Sequence, residues 1–187
     1  MRPPLDGRAA LLLVDVQEGL DDPTLGERNN PGAEERAATL LAAWREAGRP
    51  VVHVRHLSEE PGSPLRPGQP GVEIKEIVRP APGEPVVEKS VNSAFIGTGL
   101  EERLRADGIE TLIIAGLTTD HCVSTTARMA GNLGFETYVV SDATATFDRV
   151  GPGGGSFPAE QVHEVSLASL HGEFATVANS REILGLL

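Results

Sequence analysis

Short apolar runs alternate with longer amphipathic stretches along the whole chain. The first run, AALLLVDV at residues 9–16, is almost continuously apolar, which is typical of a strand buried on both faces of a sheet. Comparable runs recur at residues 50–56, 86–89, 111–115, 137–140 and 174–177. The apolar pattern therefore predicts six β-strands.

Helical periodicity occupies most of the segments between these runs. Residues 33–47 show it most clearly, since apolar side chains recur on one helical face, at Ala37, Leu40, Leu41 and Trp44. Further helices are predicted near residues 98–106, 121–133 and 158–170. Strands that alternate with helices predict a single α/β domain over residues 1–187, in which a parallel sheet carries helices on both faces.

Two connections are too long and too polar to be simple turns. Residues 57–85 are rich in proline, glycine and charge, and a short structured piece is expected at 72–78. Long connections within a compact domain are often functional. The second connection, residues 148–157, contains GPGGGS and lacks the Lys-Ser/Thr pair of a phosphate-binding loop. We expect both connections to surround a substrate pocket.

Composition and charge narrow the range of partners. The chain has 16 Lys and Arg against 27 Asp and Glu, a formal charge of −11, so neither nucleic acid nor an anionic membrane surface is expected to bind it. Its single cysteine rules out an intramolecular disulfide and fits a reducing cytoplasm. The apolar run near the N-terminus is about seven residues long, whereas a membrane span needs about 20. A small molecule is the expected partner.

Three chemically reactive residues follow predicted strands. Asp15 ends the first strand, Lys89 ends the third, and Cys122 follows the fourth at the start of a helix. The carboxyl ends of parallel strands meet at one edge of a sheet, which is where ligands bind. A helix start and a nearby ammonium both favour the thiolate form of a cysteine, and a carboxylate can accept the thiol proton. The three side chains are therefore candidates for one catalytic site.

Each of these residues also has an ordinary structural explanation. A lone cysteine is usually a small buried apolar residue, an aspartate at a strand end is often a cap, and a lysine is usually solvated. Taken singly, none of the three would indicate catalysis. Their joint placement at strand ends is what favours a catalytic site.

Three sequence blocks resemble the signature blocks of the isochorismatase-like cysteine hydrolases: LLLVDVQEG, EKSVNSAF and IIAGLTTDHCVSTTARMAGNLGFETYVVSDA. The similarity extends over residues 8–178. This resemblance implies one Rossmann-like, three-layer domain whose six-stranded parallel sheet has the order 3-2-1-4-5-6. It also implies a homo-oligomer, because relatives commonly form dimers or larger assemblies.

The same resemblance implies roles for single residues. It makes Asp15 the general base, Lys89 the activating cation and Cys122 the nucleophile. It also implies a cis peptide bond between Leu117 and Thr118. The backbone N–H groups of Thr118 and Cys122 are then expected to form an oxyanion hole.

The sequence departs from the metal-binding members of this family. Nicotinamidases bind a metal through an Asp-x-His motif after the second strand, together with a further histidine downstream. The corresponding positions here are His56 and Ser58, and no histidine follows before His121. We therefore expect no metal and no other cofactor, and nicotinamide is not favoured as the substrate.

Four further residues are candidates for the substrate pocket. Gln17 and Phe95 lie close in sequence to the reactive residues, whereas Arg55 and His56 end the second strand. For Gln17 a structural hydrogen-bonding role is the alternative. For Phe95 the alternative is packing in the core.

The residues that precede Cys122 have structural explanations. Thr119 and Asp120 are predicted as helix caps. His121 is adjacent to the cysteine, but neighbouring helical side chains diverge by about 100°, so a Cys–His dyad is not expected. On the second strand, His53 is predicted to be a hydrogen-bonded residue of the core.

The sequence thus predicts a metal-independent cysteine amidohydrolase that cleaves a C–N bond of a small amide, ureide or lactam through a thioester. An isochorismatase-type vinyl-ether hydrolase is the second hypothesis, although such enzymes usually lack the cysteine at this position. A non-catalytic binding protein with the same fold and a redox-sensing thiol protein are the third and fourth hypotheses.

Overall fold

Six strands of the chain form one sheet in the computed structural model, which describes residues 3–187. The described residues form eight strands in all, two of which lie outside this sheet. In chain order the strands are β1 (Ala10–Val14), β2 (Val51–His56), β3 (Val86–Lys89), β4 (Thr111–Leu117), β5 (Glu136–Ala145), β6 (Arg149–Val150), β7 (Ser156–Phe157) and β8 (Thr176–Ala178). The sheet has the order β3-β2-β1-β4-β5-β8, and all its neighbouring pairs are parallel. This confirms the predicted order, with a separate antiparallel ribbon of β6 and β7 inserted before the last sheet strand.

Helices cover both faces of this sheet. They are α1 (Ala33–Glu46), α2 (Leu100–Ala106), α3 (Ser124–Asn132), α4 (Ala159–Leu170) and α5 (Ser180–Leu184). Buried side chains of α1 and α5 belong to one apolar cluster, and those of α2, α3 and α4 belong to another. The domain therefore has the three layers expected of an α/β fold.

Strand β1 shows why its sequence is almost continuously apolar. Leu11 and Leu13 belong to the cluster beneath α1, whereas Leu12 and Val14 belong to the cluster on the opposite face. Successive side chains of a strand point to opposite faces, so a central strand covered on both sides has no solvent-facing position. Full burial of each leucine contributes about 1.5–3 kcal/mol.

Gly116 allows β4 to lie unusually close to β1. Its φ is 125°, and a Cβ atom built at this position would lie 1.9 Å from the carbonyl oxygen of Val14. Only glycine avoids that clash. The register between β4 and β5 shifts at the same place, between Ile114 and Gly116. This close approach brings the end of β4 beside the end of β1, where Asp15 follows.

The main differences from the sequence prediction lie at the ends of elements. The helix predicted to start at residue 121 starts at Ser124, because Thr119–Val123 forms a single π-type turn. Strand β5 continues to Ala145, and the last sheet strand starts at Thr176. The glycine-rich residues 151–155 form the turn of the ribbon between β6 and β7, and the final Ser156 of GPGGGS begins β7. Within the described part of the chain, no helix has the length and apolar character needed to cross a membrane.

Candidate active site

The three reactive residues converge at the carboxyl edge of the sheet. Lys89 is the last residue of β3, and its Nζ lies 2.7 Å from Oδ2 of Asp15 and 3.3 Å from Sγ of Cys122. All three residues are buried, with exposed fractions of 1% for Asp15, 3% for Lys89 and 9% for Cys122. Asp15 has a φ of 52°, a region that residues other than glycine seldom adopt. The structure therefore brings together the carboxylate, ammonium and thiol that the sequence singled out.

His56 joins this group as a fourth member. It is the last residue of β2, and its Nδ1 lies 2.8 Å from Nζ of Lys89. The same nitrogen is 3.7 Å from Sγ of Cys122 and 3.8 Å from Oδ2 of Asp15. A lysine ammonium has three N–H donors and no acceptor. Lys89 therefore has an oxygen, a nitrogen and a sulfur acceptor within reach, one for each donor.

The thiol of Cys122 is the protonated form in the resting site. The pKa of Cys122 is raised to about 12: burial is the largest cause, the charge of Asp15 acts in the same direction, and the ammonium of Lys89 opposes both. The sequence predicted that the helix start and the ammonium would favour a thiolate. In the folded protein, desolvation outweighs their effect on the pKa of the thiol. The thiol needs a base when it reacts. Oδ1 of Asp15 is a buried acceptor that has no hydrogen-bond partner among residues 3–187.

The turn that carries Cys122 closes on the carbonyl of Thr118. The backbone N–H groups of His121 and Val123 donate to that carbonyl, with N···O distances of 3.2 and 3.1 Å. The Leu117–Thr118 peptide bond is cis, as the resemblance implied. Thr118 and Cys122 both line the adjacent cavity. Their backbone N–H groups remain the predicted oxyanion hole.

Asp120 fixes this turn from outside and is not the helix cap that the sequence predicted. Its carboxylate accepts hydrogen bonds from Oγ1 of Thr146 at 2.5 Å and from Nε of Arg149 at 2.7 Å. Burial alone would raise the pKa of Asp120, but the hydrogen bonds from Arg149 and Thr146 hold it below its usual value. Thr119 likewise makes no cap, since its Oγ1 lies 2.8 Å from Nδ1 of the buried His163. Neither Arg149 nor Thr146 belongs to a motif that marks it in the sequence.

A cavity of about 640 Å³ opens above the four clustered side chains. Its apolar lining consists of Leu20, Leu25, Leu65, Leu117 and Phe147, and its neutral polar lining includes Ser58, Ser63, Ser90, Asn92 and Thr118. The charged or titratable lining residues are Asp15, His56, Glu59, Glu60, His121, Cys122 and Arg149. Both long connections contribute, as their length and polarity predicted. The size is that of a pocket for a small-molecule ligand.

Comparison with known proteins identifies the family. The sequence profile of the isochorismatase domain matches residues 9–182. The chain belongs to the isochorismatase family. An isochorismatase-family protein of Bacillus subtilis, YrdC, is 48% identical over 180 residues, which are 96% of each chain. The crystal structure of an isochorismatase-family hydrolase from Chromobacterium violaceum has 49% sequence identity and a TM-score of 0.95, over 100% of this chain and 98% of that one.

A relative whose name states a reaction is more distant. The streptothricin hydrolase of Streptomyces noursei is 37% identical over 139 residues, which are 74% of this chain and 50% of that protein. The six-stranded parallel sheet found here is the isochorismatase-family fold. Membership of this family makes the chain a hydrolase of the cysteine type, with Cys122 as its single cysteine.

The clustered side chains do not fit the metal site of the metal-binding family members. Asp15, His56 and Cys122 present an oxygen, a nitrogen and a sulfur within 4.8 Å of one another, a donor set that suits zinc. However, the ammonium of Lys89 contacts all three of these donors. A divalent cation would have to displace that ammonium, because two positive charges so close together repel strongly.

Gln17 lies behind the isochorismatase-family site, not in the cavity. Its side-chain amide donates to the carbonyl oxygens of His56 at 3.0 Å and Val72 at 2.9 Å, and its Oε1 accepts from the N–H of His56 at 2.8 Å. The side chain is fully buried. The left-handed backbone of Asp15 breaks the alternation that would have placed the two side chains on one face. Gln17 therefore holds the end of β2 in place.

Arg55 and Phe95 also lie away from the cavity, contrary to the pocket hypothesis. Arg55 pairs with Glu88 of β3, because it precedes His56 on a strand and its side chain points to the opposite face. The ring of Phe95 stacks on that of Phe135, with centroids 5.9 Å apart, beside the core beneath α2 and α3. Of the four pocket candidates, only His56 lines the cavity.

Proposed function

We propose that the protein is a cysteine amidohydrolase that breaks the C–N bond of a small amide, ureide or lactam. The observation that carries this proposal is the contact of one buried ammonium, that of Lys89, with both a carboxylate and a thiol. A general base, a nucleophile and a fixed positive charge are the groups that acyl transfer requires. The family membership supports the same reaction class.

In the first half-reaction, Asp15 accepts the proton of the Cys122 thiol as the sulfur attacks the carbonyl carbon. The carbonyl oxygen becomes an oxyanion, which the N–H groups of Thr118 and Cys122 stabilise. The C–N bond then breaks, and the proton held by Asp15 moves to the leaving nitrogen. An amine or ammonia departs, or, for a lactam, the freed amine stays tethered to the acyl group, and the acyl group remains on the sulfur as a thioester.

In the second half-reaction, Asp15 takes a proton from water as the water oxygen attacks the thioester. The carbon–sulfur bond breaks, a carboxylic acid is released, and the sulfur regains its proton. Lys89 keeps its positive charge throughout and stabilises the anionic sulfur whenever it forms. Each step uses only the substrate, water and residues of this chain, so we propose that neither metal nor another cofactor takes part.

The sequence also supports proposals about the location, the partners and the assembly of the enzyme. The single cysteine and the acidic composition favour a cytoplasmic enzyme with a small-molecule substrate and without nucleic-acid or membrane partners. A homo-oligomer is proposed from the resemblance alone. Gel filtration combined with light scattering tests that assembly directly.

The test of the proposed reaction is a panel assay that records the ammonia or amine formed from each nitrogen compound and, for isochorismate, which contains no nitrogen, the pyruvate released. The panel contains nicotinamide, a carbamoyl amino acid, an acyclic ureide, a dicarboxylic monoamide, a lactam and isochorismate. Wild type, Cys122→Ala and the control His171→Ala are compared, with and without chelator. His171 is a suitable control because it is exposed and does not line the cavity.

We expect turnover of at least one amide by wild type and by His171→Ala, no turnover by Cys122→Ala, and no effect of chelator. Loss of turnover with chelator would contradict the metal-independent mechanism. Turnover of isochorismate that survives Cys122→Ala would assign the protein to vinyl-ether hydrolysis instead.

A further inference from the structure

Two glutamates in the cavity wall have no ion-pair partner. Glu59 and Glu60 both line the cavity and are exposed at its mouth. Among the described residues, no basic group lies within salt-bridge distance of either carboxylate. Two adjacent carboxylates repel each other unless a positive charge approaches them.

The basic side chains of the cavity wall already contact a carboxylate. Arg149 donates to Asp120, with a shortest distance of 2.7 Å, and Nε2 of His121 lies 3.4 Å from the same carboxylate. At the buried end of the cavity, Asp15 is paired with Lys89. These ion pairs largely cancel, so Glu59 and Glu60 give the cavity a net negative charge.

The backbone around the two glutamates is held in a turn. The N–H of Glu60 donates to Oγ of Ser58 at 3.2 Å, and the N–H of Ser63 donates to the carbonyl of Glu60 at 3.2 Å. The two carboxylates therefore belong to a defined part of the cavity wall. A cleft lined by charge of one sign concentrates the field and attracts ligands of the opposite sign.

A second observation concerns an unpartnered acceptor at the buried end of the same cavity. Oδ1 of Asp15 has no hydrogen-bond partner in the described part of the chain, and the side chain is only 2% exposed. A buried acceptor of this kind is costly unless a ligand or a reacting group satisfies it. The cavity thus presents an acceptor at its buried end, apolar walls at Leu20 and Leu65, and negative charge at its mouth.

We propose that Glu59 and Glu60 select a substrate that carries a cationic group, an ammonium or a guanidinium, at a distance from the bond that is cleaved. The nature of that bond rests on the proposed amide hydrolysis. The volume of about 640 Å³ leaves room for both ends of such a molecule. An anionic amide is disfavoured by the same two carboxylates.

The charge selectivity of the cavity is tested with two charged thiol reagents, so the test does not require the substrate to be known. Trimethylammonioethyl and sulfonatoethyl methanethiosulfonate are of similar size and opposite charge. Each forms a mixed disulfide with a thiol and releases methanesulfinate. Cys122 is the only cysteine, so both reagents report on the same site. The ratio of the two rate constants is divided by the same ratio for a small free thiol, 2-mercaptoethanol, so that the intrinsic reactivities of the thiol and of the two reagents cancel.

The ratio is measured in wild type, in Glu59→Gln/Glu60→Gln and in Glu101→Gln/Glu102→Gln. The control pair changes the net charge by the same amount on α2, away from the cavity lining. At low ionic strength we expect this normalised ratio to be about ten in wild type and in the control. The ratio falls towards one in Glu59→Gln/Glu60→Gln, and high salt reduces it in wild type.

A ratio that is the same in wild type and in Glu59→Gln/Glu60→Gln would overturn the proposal. An equal fall in both double variants would also overturn it, because the effect would then come from total charge. Amide turnover is recorded separately with a matched pair of neutral and amine-bearing substrates. A charge-selective cavity without amide turnover would leave the cation site standing and reject the proposed reaction, so the two failures are distinguishable.

Discussion

His56 accepts a hydrogen bond from Lys89, with 2.8 Å between Nδ1 and Nζ. Because the ammonium can only donate, Nδ1 carries no proton in this arrangement, and the neutral ring holds its proton on Nε2. The site is therefore a cluster of four side chains, in which a histidine helps to hold the lysine against the carboxylate and the thiol. We place His56 as a positioning residue that acts through Lys89.

Replacement of His56 by alanine removes one of the three acceptors of Lys89. We expect kcat to fall by about 10- to 100-fold, with a smaller change in KM, because the ammonium is no longer held in its reactive position. His56→Asn supplies an oxygen acceptor and is expected to recover part of the loss. Steady-state kinetics with the best substrate of the panel measure both effects.

His53 provides the matched control on the same strand. Its Nε2 lies 2.8 Å from Oε2 of Glu84, and it does not line the cavity. This contact is that of a hydrogen-bonded core residue, which was the prediction for this position. His53→Ala is expected to lower Tm while leaving kcat nearly unchanged. If both variants lowered Tm equally and neither changed kcat, the positioning role of His56 would be wrong.

The free energy of unfolding is expected to fall at alkaline pH, because the unfolded chain loses the Cys122 proton at a lower pH than the folded protein does. Its thiol titrates at 9.0 when unperturbed and at about 12 in the folded protein. Below pH 9 both states keep the proton, but between these two values the unfolded chain loses it and the folded protein does not. The stabilising contribution is therefore complete below the lower pKa and is lost as pH rises through the upper one.

Urea unfolding from pH 7 to pH 11 measures this contribution. We expect the free energy of unfolding of wild type to fall more steeply above pH 9 than that of Cys122→Ser, which has no thiol. Alkylation by iodoacetamide is expected to be slow at neutral pH and to accelerate above pH 9. Rapid alkylation of the unliganded protein at pH 7 would instead indicate a resting thiolate.

Gly116 is expected to tolerate no side chain. In Gly116→Ala the new Cβ meets the carbonyl oxygen of Val14, and alanine disfavours the positive φ of this residue. We expect a loss of about 3 kcal/mol or more in the free energy of unfolding, together with a loss of activity. Gly7→Ala is the control, because nothing lies within 4 Å of a Cβ at that position. Equal stability of the two variants would contradict the close approach of β4 to β1.

The parallel sheet and the grouping of the reactive residues were predictable from the sequence for a physical reason, whereas the strand order was implied by the family resemblance. Fully buried parallel strands require continuous apolar runs, and the carboxyl ends of such strands share one edge. Asp15, Lys89 and Cys122 could therefore be placed together without knowledge of any contact. Their distances follow from the parallel pairing of β1 with β2 and β4, and of β2 with β3.

The pocket was less predictable because it depends on contacts between distant segments. Gln17 was a pocket candidate, but the left-handed φ of Asp15 ends the regular alternation and Gln17 lies behind the site. Asp120 was expected to cap a helix, but the chain returns after β5 and places Thr146 and Arg149 against it. Nothing in the local sequence encodes that return. The rise in the pKa of Cys122 likewise depends on burial by the whole fold.

The central claim is that Cys122 forms a covalent thioester during hydrolysis of an amide. The most direct measurement is intact-protein mass spectrometry of a reaction quenched in acid during turnover of the best panel substrate. We predict an added mass equal to the acyl part of the substrate, located on Cys122 by peptide mapping, and no adduct or amine release with Cys122→Ala. Steady turnover without an adduct, undiminished in Cys122→Ala, would contradict the account.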